Sequence, residues 1–339
     1  MTEIIDLNQP AKATWDAFVE RSPQGILYCK SWWLDAVAPG RYELLTVSSG
    51  SEIRAGWPIV WAEVGRHHRV VMPPLTQKLG ILFSPSAAKY AEELSNEHRL
   101  MDELISKLPP NTYVYMHCHE NFTNWLPFCW HGFRQTTRYT YVLEDLSDLE
   151  CIWEEMRGTA RKEVRKAEKL GIRCRETEDL SLFYELNNRI FHRQGLDTPY
   201  SFEFLKRIDD ACLKNAHRKI MIAEDVEGRP HAFRYFMYDE QCTLLVAGGA
   251  DDNLRGSGAC SLLDWEIIKF ASTVSKRFDF TGSMMRGIEP YIRTFGAKRK
   301  QYFCIWGSAN WGSKTKSTQS SLRQWAGRAL RKAARIIDP

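Results

Sequence analysis

No stretch of this 339-residue chain approaches 18 apolar residues, so nothing in it reads as a membrane span. The nine cysteines are odd in number and scattered, and no C-x-x-C occurs. That excludes a disulfide framework and a zinc ribbon and agrees with a reducing compartment. The opening, MTEIIDLNQPAKATW, lacks a basic start followed by an apolar run, so no signal peptide is expected. Short repeats are missing too, and only the final tail is low in complexity. These absences leave a cytoplasmic, globular protein as the expectation.

What is present agrees. The chain is 44% hydrophobic and 26% charged, with 12 Trp and 16 Phe, enough for two ordinary cores. A net charge of +4 is too small to identify a partner, but its distribution is uneven. Arg157 to Arg175 holds eight Lys or Arg against Glu163 and Glu168, and the tail from Lys314 to Ile337 holds seven and no acid.

Hydrophobic periodicity sets the order of elements. A short helix carries Trp15, Phe18 and Val19 on one face; strands follow at GRYELLTVSS and IRAGWPIVWAEV, then a helix over 87–107 and strands at NTYVYMHCHE and RQTTRYTYVLE. From Leu149 to Leu170 the pattern is one long charged helix stopped by Gly171. Helices at 179–194 and 201–214 precede three successive strands, RKIMIAEDV, PHAFRYFMYD and QCTLLVAGGA. The helix ACSLLDWEIIKFAS, the strand KRFDF, the helix RGIEPYIRTF and the strand KRKQYFCIW complete the pattern. Two similar α/β domains are expected, over residues 1–146 and 147–307, with 308–339 as linker and basic C-terminal helix.

Two stretches carry chemistry. The strand end Ala247-Gly248-Gly249-Ala250 leads into Arg255-Gly256-Ser257-Gly258-Ala259, which opens a helix. Unpaired N–H groups at a helix start, close backbone approach at Gly and a nearby Arg suit an anion; an ordinary Gly-rich turn is the alternative. The second stretch is FDFTGSMMRGIEPYIRTFGA, residues 278–297. Asp279 between two Phe is costly if buried alone, so it either sits on a wet face, pairs with a cation, or handles a proton at the strand end. Glu289 and Tyr291, on the following helix, are further catalytic candidates.

With these residues the chain resembles the GNAT acyltransferase superfamily, whose pyrophosphate loop reads Arg/Gln-x-x-Gly-x-Gly/Ala. Arg255 and Gly258 match that pattern, while Cys260 departs from it at the last position. FDFTGSMMRGIEPYIRTFGA is similar to the C-terminal signature of the tandem-GNAT, FemAB-like branch. CIWEEMRGTARKEVRKAEKLGI resembles the helix that opens its second domain, and MPPLTQKLGI a loop of its first. The resemblance implies an α/β (α+β) fold of two tandem GNAT-like domains, each a mixed, mainly antiparallel sheet flanked by helices. It implies N-acyl transfer to a primary amine of a small molecule, amino sugar or peptide, from acyl-CoA or acetyl-CoA. An aminoacyl-tRNA donor acting on a cell-wall precursor or peptide is the alternative, and a non-catalytic scaffold for an anionic partner or membrane is a third.

Carried onto this sequence, the resemblance implies donor contacts at Val246, Ala247, Gly248, Arg255, Gly256, Ser257, Gly258 and Ala259. The oxyanion donor would be a backbone N–H near Val246 to Gly248. Lys78, Ser283 and Arg293 would contact substrate, and no metal is expected.

Other signals are bland. Strand alternation separates Cys118 from His117 and His119, which argues against a metal site, and His67-His68 reads as a turn. Ser283 has no His and Asp at a recognisable hydrolase spacing. The basic helix 157–173 is either a solvated face or a surface for tRNA or a nucleotide. The tail helix, over 320–337, either lies on the protein's own body or on an anionic membrane at the inner face.

Overall fold

The computed structural model describes residues 10–64, 67–215, 217–282 and 284–309. These fall into two compact units: residues up to Arg138 together with the strand from Gln301 onward, and Tyr139–Lys300. The sequence pattern instead places the division at 146 and gives the last strand to the second domain. In the structure that strand, Lys298–Ser308, pairs antiparallel with Tyr113–His117, Cys304 opposite His117.

The first unit is built on a mixed sheet. Tyr42–Ser49 and Glu52–Val64 form a hairpin across Gly50, whose positive φ of 62° suits the tight turn. Glu52–Val64 continues antiparallel to His67–Val70, which runs parallel to Tyr113–His117. The helix Tyr90–Ser106 covers the sheet with Leu100, Met101, Leu104 and Ile105, all buried. Trp57 and Phe128 meet edge to face at 5.6 Å in this core.

The second unit is a mixed, mainly antiparallel sheet flanked by helices. Arg173–Thr177, His217–Glu224, Pro230–Tyr238 and Cys242–Ala250 form an antiparallel meander. Arg277–Asp279 then adds parallel to Cys242–Leu244 and antiparallel to Val142 and Leu143. The crossover is the helix Ala259–Val274, which buries Leu263, Ile267, Ile268 and Ala271. Flanking it, Phe278 and Phe280 meet at 4.7 Å and Phe280 meets Phe295 at 5.5 Å. Aromatic pairs of this kind add about 0.5–1.5 kcal/mol each beyond their buried area. Phe278 and Phe280 therefore share one face, and Asp279 takes the other.

One expected element is split. Instead of a single helix over 149–170, the chain forms Leu149–Glu155 and Gly158–Lys169. Met156 is buried and extended between them, and the Arg157 N–H donates to the Thr294 carbonyl at 2.8 Å instead of continuing the helix. That tertiary bond has no sequence-local signal. The tail helix expected over 320–337 lies outside the described residues, as does Ser283. Among the described residues, no helix is long and apolar enough to cross a membrane.

Candidate functional site

The strand Cys242–Ala250 is paired on both sides only at its start. Its parallel partner covers Cys242, Thr243 and Leu244 and stops there, while a bulge at Val246 shifts the register on the other side. Past Leu244 the parallel ladder ends and, among the described residues, Cys242–Ala250 runs on without a strand on that side, leaving an opening along Ala247, Gly248 and Gly249, with Gly248 exposed. The sequence reading places the oxyanion donor here, near Val246 to Gly248.

The far side of the opening is held by Thr281. Its hydroxyl donates to the Leu245 carbonyl at 2.5 Å, bridging the strands where their ladder ends. Thr281 adopts φ 55°, unfavourable for a β-branched residue, and Gly282 follows at φ 73°. A Cβ at Gly282 would lie 2.3 Å from the Tyr139 carbonyl, so only glycine fits there.

Asp279 holds this turn in place. Its Oδ1 accepts the Thr140 hydroxyl at 2.5 Å and the Thr281 N–H at 2.7 Å. The residue is 0% exposed, so no substrate amine reaches it. The geometry makes Asp279 a positioning group for Thr281, and its burial sets aside the wet-face reading while leaving it no open path for handling a proton.

Behind the opening lies a buried ionic network that sequence reasoning missed. Arg234, on Pro230–Tyr238, meets Asp264, on Ala259–Val274, through two bonds, Nε to Oδ1 at 2.7 Å and Nη2 to Oδ2 at 2.9 Å. Its Nη1 donates to the carbonyls of Phe233 at 3.0 Å and Gly249 at 3.1 Å. The Tyr291 hydroxyl completes the set, donating to Asp264 Oδ2 at 2.6 Å. Burial works against the Arg234 charge, but the Asp264 carboxylate outweighs it and holds the guanidinium above its usual range. Burial, then Asp264, pushes the Tyr291 phenol well above its usual pKa. Tyr291 is therefore a neutral tether in place of a ready acid or base. A Cβ at Gly248 would lie 2.6 Å from Arg234 Cδ, so this glycine also makes room for the network.

Glu289 and Arg293 sit one turn apart on the same short helical segment, Glu289–Ile292 and the turn after it. Glu289 accepts the Tyr141 hydroxyl at 2.6 Å and lies 3.6 Å from Arg293 Nε. Burial and then Glu289 push the Tyr141 phenol up to about 12. Glu289 is half-buried and Arg293 exposed, so this pair, unlike Asp279, is open to a ligand.

The Gly-rich loop has a mixed character. Gly256 is exposed and a Cβ there would meet nothing within 4 Å. Gly258 has φ 80° and caps the 16-residue helix, but a Cβ on it would lie 2.2 Å from the Glu163 carbonyl. Gly258 is thus required by packing against Gly158–Lys169. Arg255 ion-pairs with Asp252, which also holds Arg193, and the Ser257 hydroxyl lies 2.8 Å from His231 Nδ1. Ala259 is buried at the first helical position. Loop N–H groups and open space suit an anion; the Asp252 carboxylate competes for the Arg255 charge.

Lys78 belongs to the first unit and is not offered to a substrate there. Its Nζ lies 2.6 Å from Glu120 Oε2, with both side chains nearly inaccessible. Nor do His117 and His119 build a metal site: among the described residues, no group of three or more His, Cys, Asp or Glu side chains could hold a metal ion.

The second unit's architecture is one that known proteins share. Residues 154–293 match the family model described as an acetyltransferase (GNAT) domain. Over those residues the fold is the GNAT one, and solved structures of low identity share the chain's architecture. A structure of FemX superposes with a TM-score of 0.63 at 12% identity, covering 87% of this chain and 96% of that one. L-PGS from Bacillus licheniformis superposes at 0.57 with 13% identity, covering 97% and 98%. A C-terminal domain assigned to a lysylphosphatidylglycerol synthetase, from Agrobacterium fabrum, gives 0.51 at 13% identity, covering 94% and 98%. Compared by sequence with curated proteins, the chain matches none.

Proposed function

We propose that the second unit is an N-acyltransferase site that moves an acyl group from acyl-CoA to a primary amine. The observation that carries this reading is the end of the parallel ladder at Leu244, past which Cys242–Ala250 runs on unpaired on that side toward the Gly-rich loop. A carbonyl seated at Ala247 to Gly249 would meet backbone donors as its oxyanion develops, and fixed dipoles of this kind cost no reorganisation. Phosphates would lie on the exposed side of the loop, at Gly256 and the start of the helix Ala259–Val274. Glu289 and Arg293, open and adjacent, would receive the acceptor amine and its proton.

A second donor class is favoured by one specific contact. Arg255 already pairs with Asp252, which weakens the loop as a pyrophosphate site. An aminoacyl-tRNA donor, its backbone attracted by the basic helix Gly158–Lys169, would not need Arg255. Calorimetric titration with acetyl-CoA and a long-chain acyl-CoA separates the two. Micromolar binding, lost in Gly256→Asp, is expected for the CoA donor; Gly256 is chosen because an added side chain has room there. No binding by the folded protein would overturn the CoA reading and move the donor to charged tRNA. Turnover with any donor excludes a purely scaffolding role.

A further inference from the structure

Outside the network behind the strand opening, the second unit contains a chain of Asp, His and Ser that no sequence spacing announces. Asp225 opens the hairpin turn before Pro230–Tyr238, His231 lies early on that strand, and Ser257 precedes the capping Gly258. His231 Nδ1 is 2.8 Å from Ser257 Oγ, and its Nε2 is 3.2 Å from Asp225 Oδ2. His231 is buried, and Ser257 is half-buried beside the open flank of Gly256.

The protonation pattern follows from the partners. Burial would raise the Asp225 pKa, but the Arg229 guanidinium and N–H, with His231, outweigh it and hold the carboxyl well below its usual range. An ionised carboxylate only accepts, so Nε2 of a neutral His231 carries the proton and Nδ1 presents its lone pair to Ser257. A hydroxyl facing a histidine that a carboxylate orients is the arrangement of an activated nucleophile. Donors for an oxyanion stand next to it. The N–H groups of Gly258 and Cys260 lie at the start of a 16-residue helix, and the Ala259 N–H between them donates to Ser257 Oγ at 3.4 Å, a bond it would give up to an oxyanion on the acyl carbon.

We propose that Ser257 is a nucleophile that accepts an acyl group from an activated ester or thioester, with His231 as its base and Asp225 orienting the histidine. Ser257 Oγ bonds to the acyl carbon as its proton passes to His231 Nδ1. The bond from that carbon to the leaving sulfur or oxygen then breaks, and Nδ1 returns the proton to the leaving group. Water or an amine attacks the acyl-serine, gives its proton to Nδ1, and the Oγ–carbon bond breaks as Ser257 regains its proton. The activity goes beyond amine transfer at the strand opening and does not require CoA.

The full chain is incubated with a fluorophosphonate probe and with p-nitrophenyl acetate, and the adduct is located by peptide mass spectrometry. Labelling at Ser257, its loss in Ser257→Ala, and acylation slowed roughly 100-fold or more in His231→Ala are expected. No adduct on the folded wild-type protein, or an adduct on another residue, overturns the proposal. So does labelling of a folded His231→Ala at the wild-type rate. Should that variant not fold, the wild-type adduct decides. CoA titration of the same sample keeps the two readings apart: binding without an adduct sinks the nucleophile alone, and an adduct without CoA binding sinks the CoA donor alone.

Discussion

Each unit buries cations, and Lys78 in the first and Arg234 in the second are used differently. In the first, the Lys78 ammonium ends in a short pair with Glu120, both side chains almost wholly inaccessible. In the second, the Arg234 guanidinium joins a helix through Asp264, its neighbouring strand through the Gly249 carbonyl and, by way of Asp264, the segment carrying Tyr291. Lys78 is a point charge on a flexible stem that meets Glu120 and the Tyr302 ring, whereas the planar guanidinium fork of Arg234 holds several elements in fixed geometry at once. The difference teaches where geometry matters. The Arg234 network meets the strand that opens and the segment that bears Glu289 and Arg293.

The sharpest way to break this comparison is to remove each cation. Arg234→Met leaves the Asp264 charge buried without its partner, and a loss of about 3–5 kcal/mol is expected in urea unfolding. Replacing both members, as in Arg234→Met with Asp264→Leu, should recover much of that stability without recovering transfer. Lys78→Met should also destabilise, because it leaves Glu120 buried, yet transfer per folded molecule should stay near wild type. Equal loss of transfer in both variants would erase the distinction between the two units. Tyr291→Phe is the milder version, costing about 1.5–3 kcal/mol for one hydrogen bond to a charged group.

The sequence reading passed over this network, although one signal for it was there. Arg234 is the lone Lys, Arg, Asp or Glu in PHAFRYFMY, Asp264 follows the apolar start of ACSLLDWEIIKFAS ahead of Glu266 and Lys269, and a buried charge demands a partner. Which partner depends on how helix and strand cross, and 30 residues separate the two. The meander, the crossover helix and the FDF strand were legible because periodicity and glycine punctuation are local. The break at Met156 was not, because the Thr294 carbonyl that takes the Arg157 N–H lies far along the chain. Asp279 was singled out correctly as unusual for its surroundings. Its partner Thr281 went unnoticed, since nothing in the sequence marks a threonine with positive φ.

The loop offers a finer test. Gly258→Ala meets both a positive φ and the Glu163 carbonyl, and a loss of roughly 1–3 kcal/mol is expected in thermal or urea unfolding. Gly256→Ala has open space and should be close to neutral. Similar losses in the two would mean that the packing of Gly158–Lys169 against the loop is not what requires Gly258.

Histidine sharpens the contrast from the other side. Burial, followed by the Arg138 charge, lowers His117 in the first unit to about 3. The unfolded chain binds this proton near pH 6.5 and the folded chain only near 3, so the stability present above pH 6.5 is lost as pH falls through that window. The slope from this one group is at most about 1.4 kcal/mol per pH unit. Urea unfolding between pH 6.5 and 3 should show a shallower slope in His117→Gln than in wild type. Identical slopes would remove His117 from the account.

The smallest expected effect falls on the turn that props the opening. Thr281→Ser keeps the hydroxyl that reaches Leu245 and relaxes the β-branched side chain at φ 55°, so the two changes offset and stability should move by less than about 0.5 kcal/mol. Thr281→Gly removes the strain and the hydroxyl together, and the lost bond leaves the strand opening without its prop. If the prop fixes the opening, the glycine variant should lower kcat while KM for the donor holds, and the serine variant should retain both. Equal kcat in the two variants would mean that the opening persists without Thr281. It would then rest on the bulge at Val246 and on Arg234 holding the Gly249 carbonyl from behind.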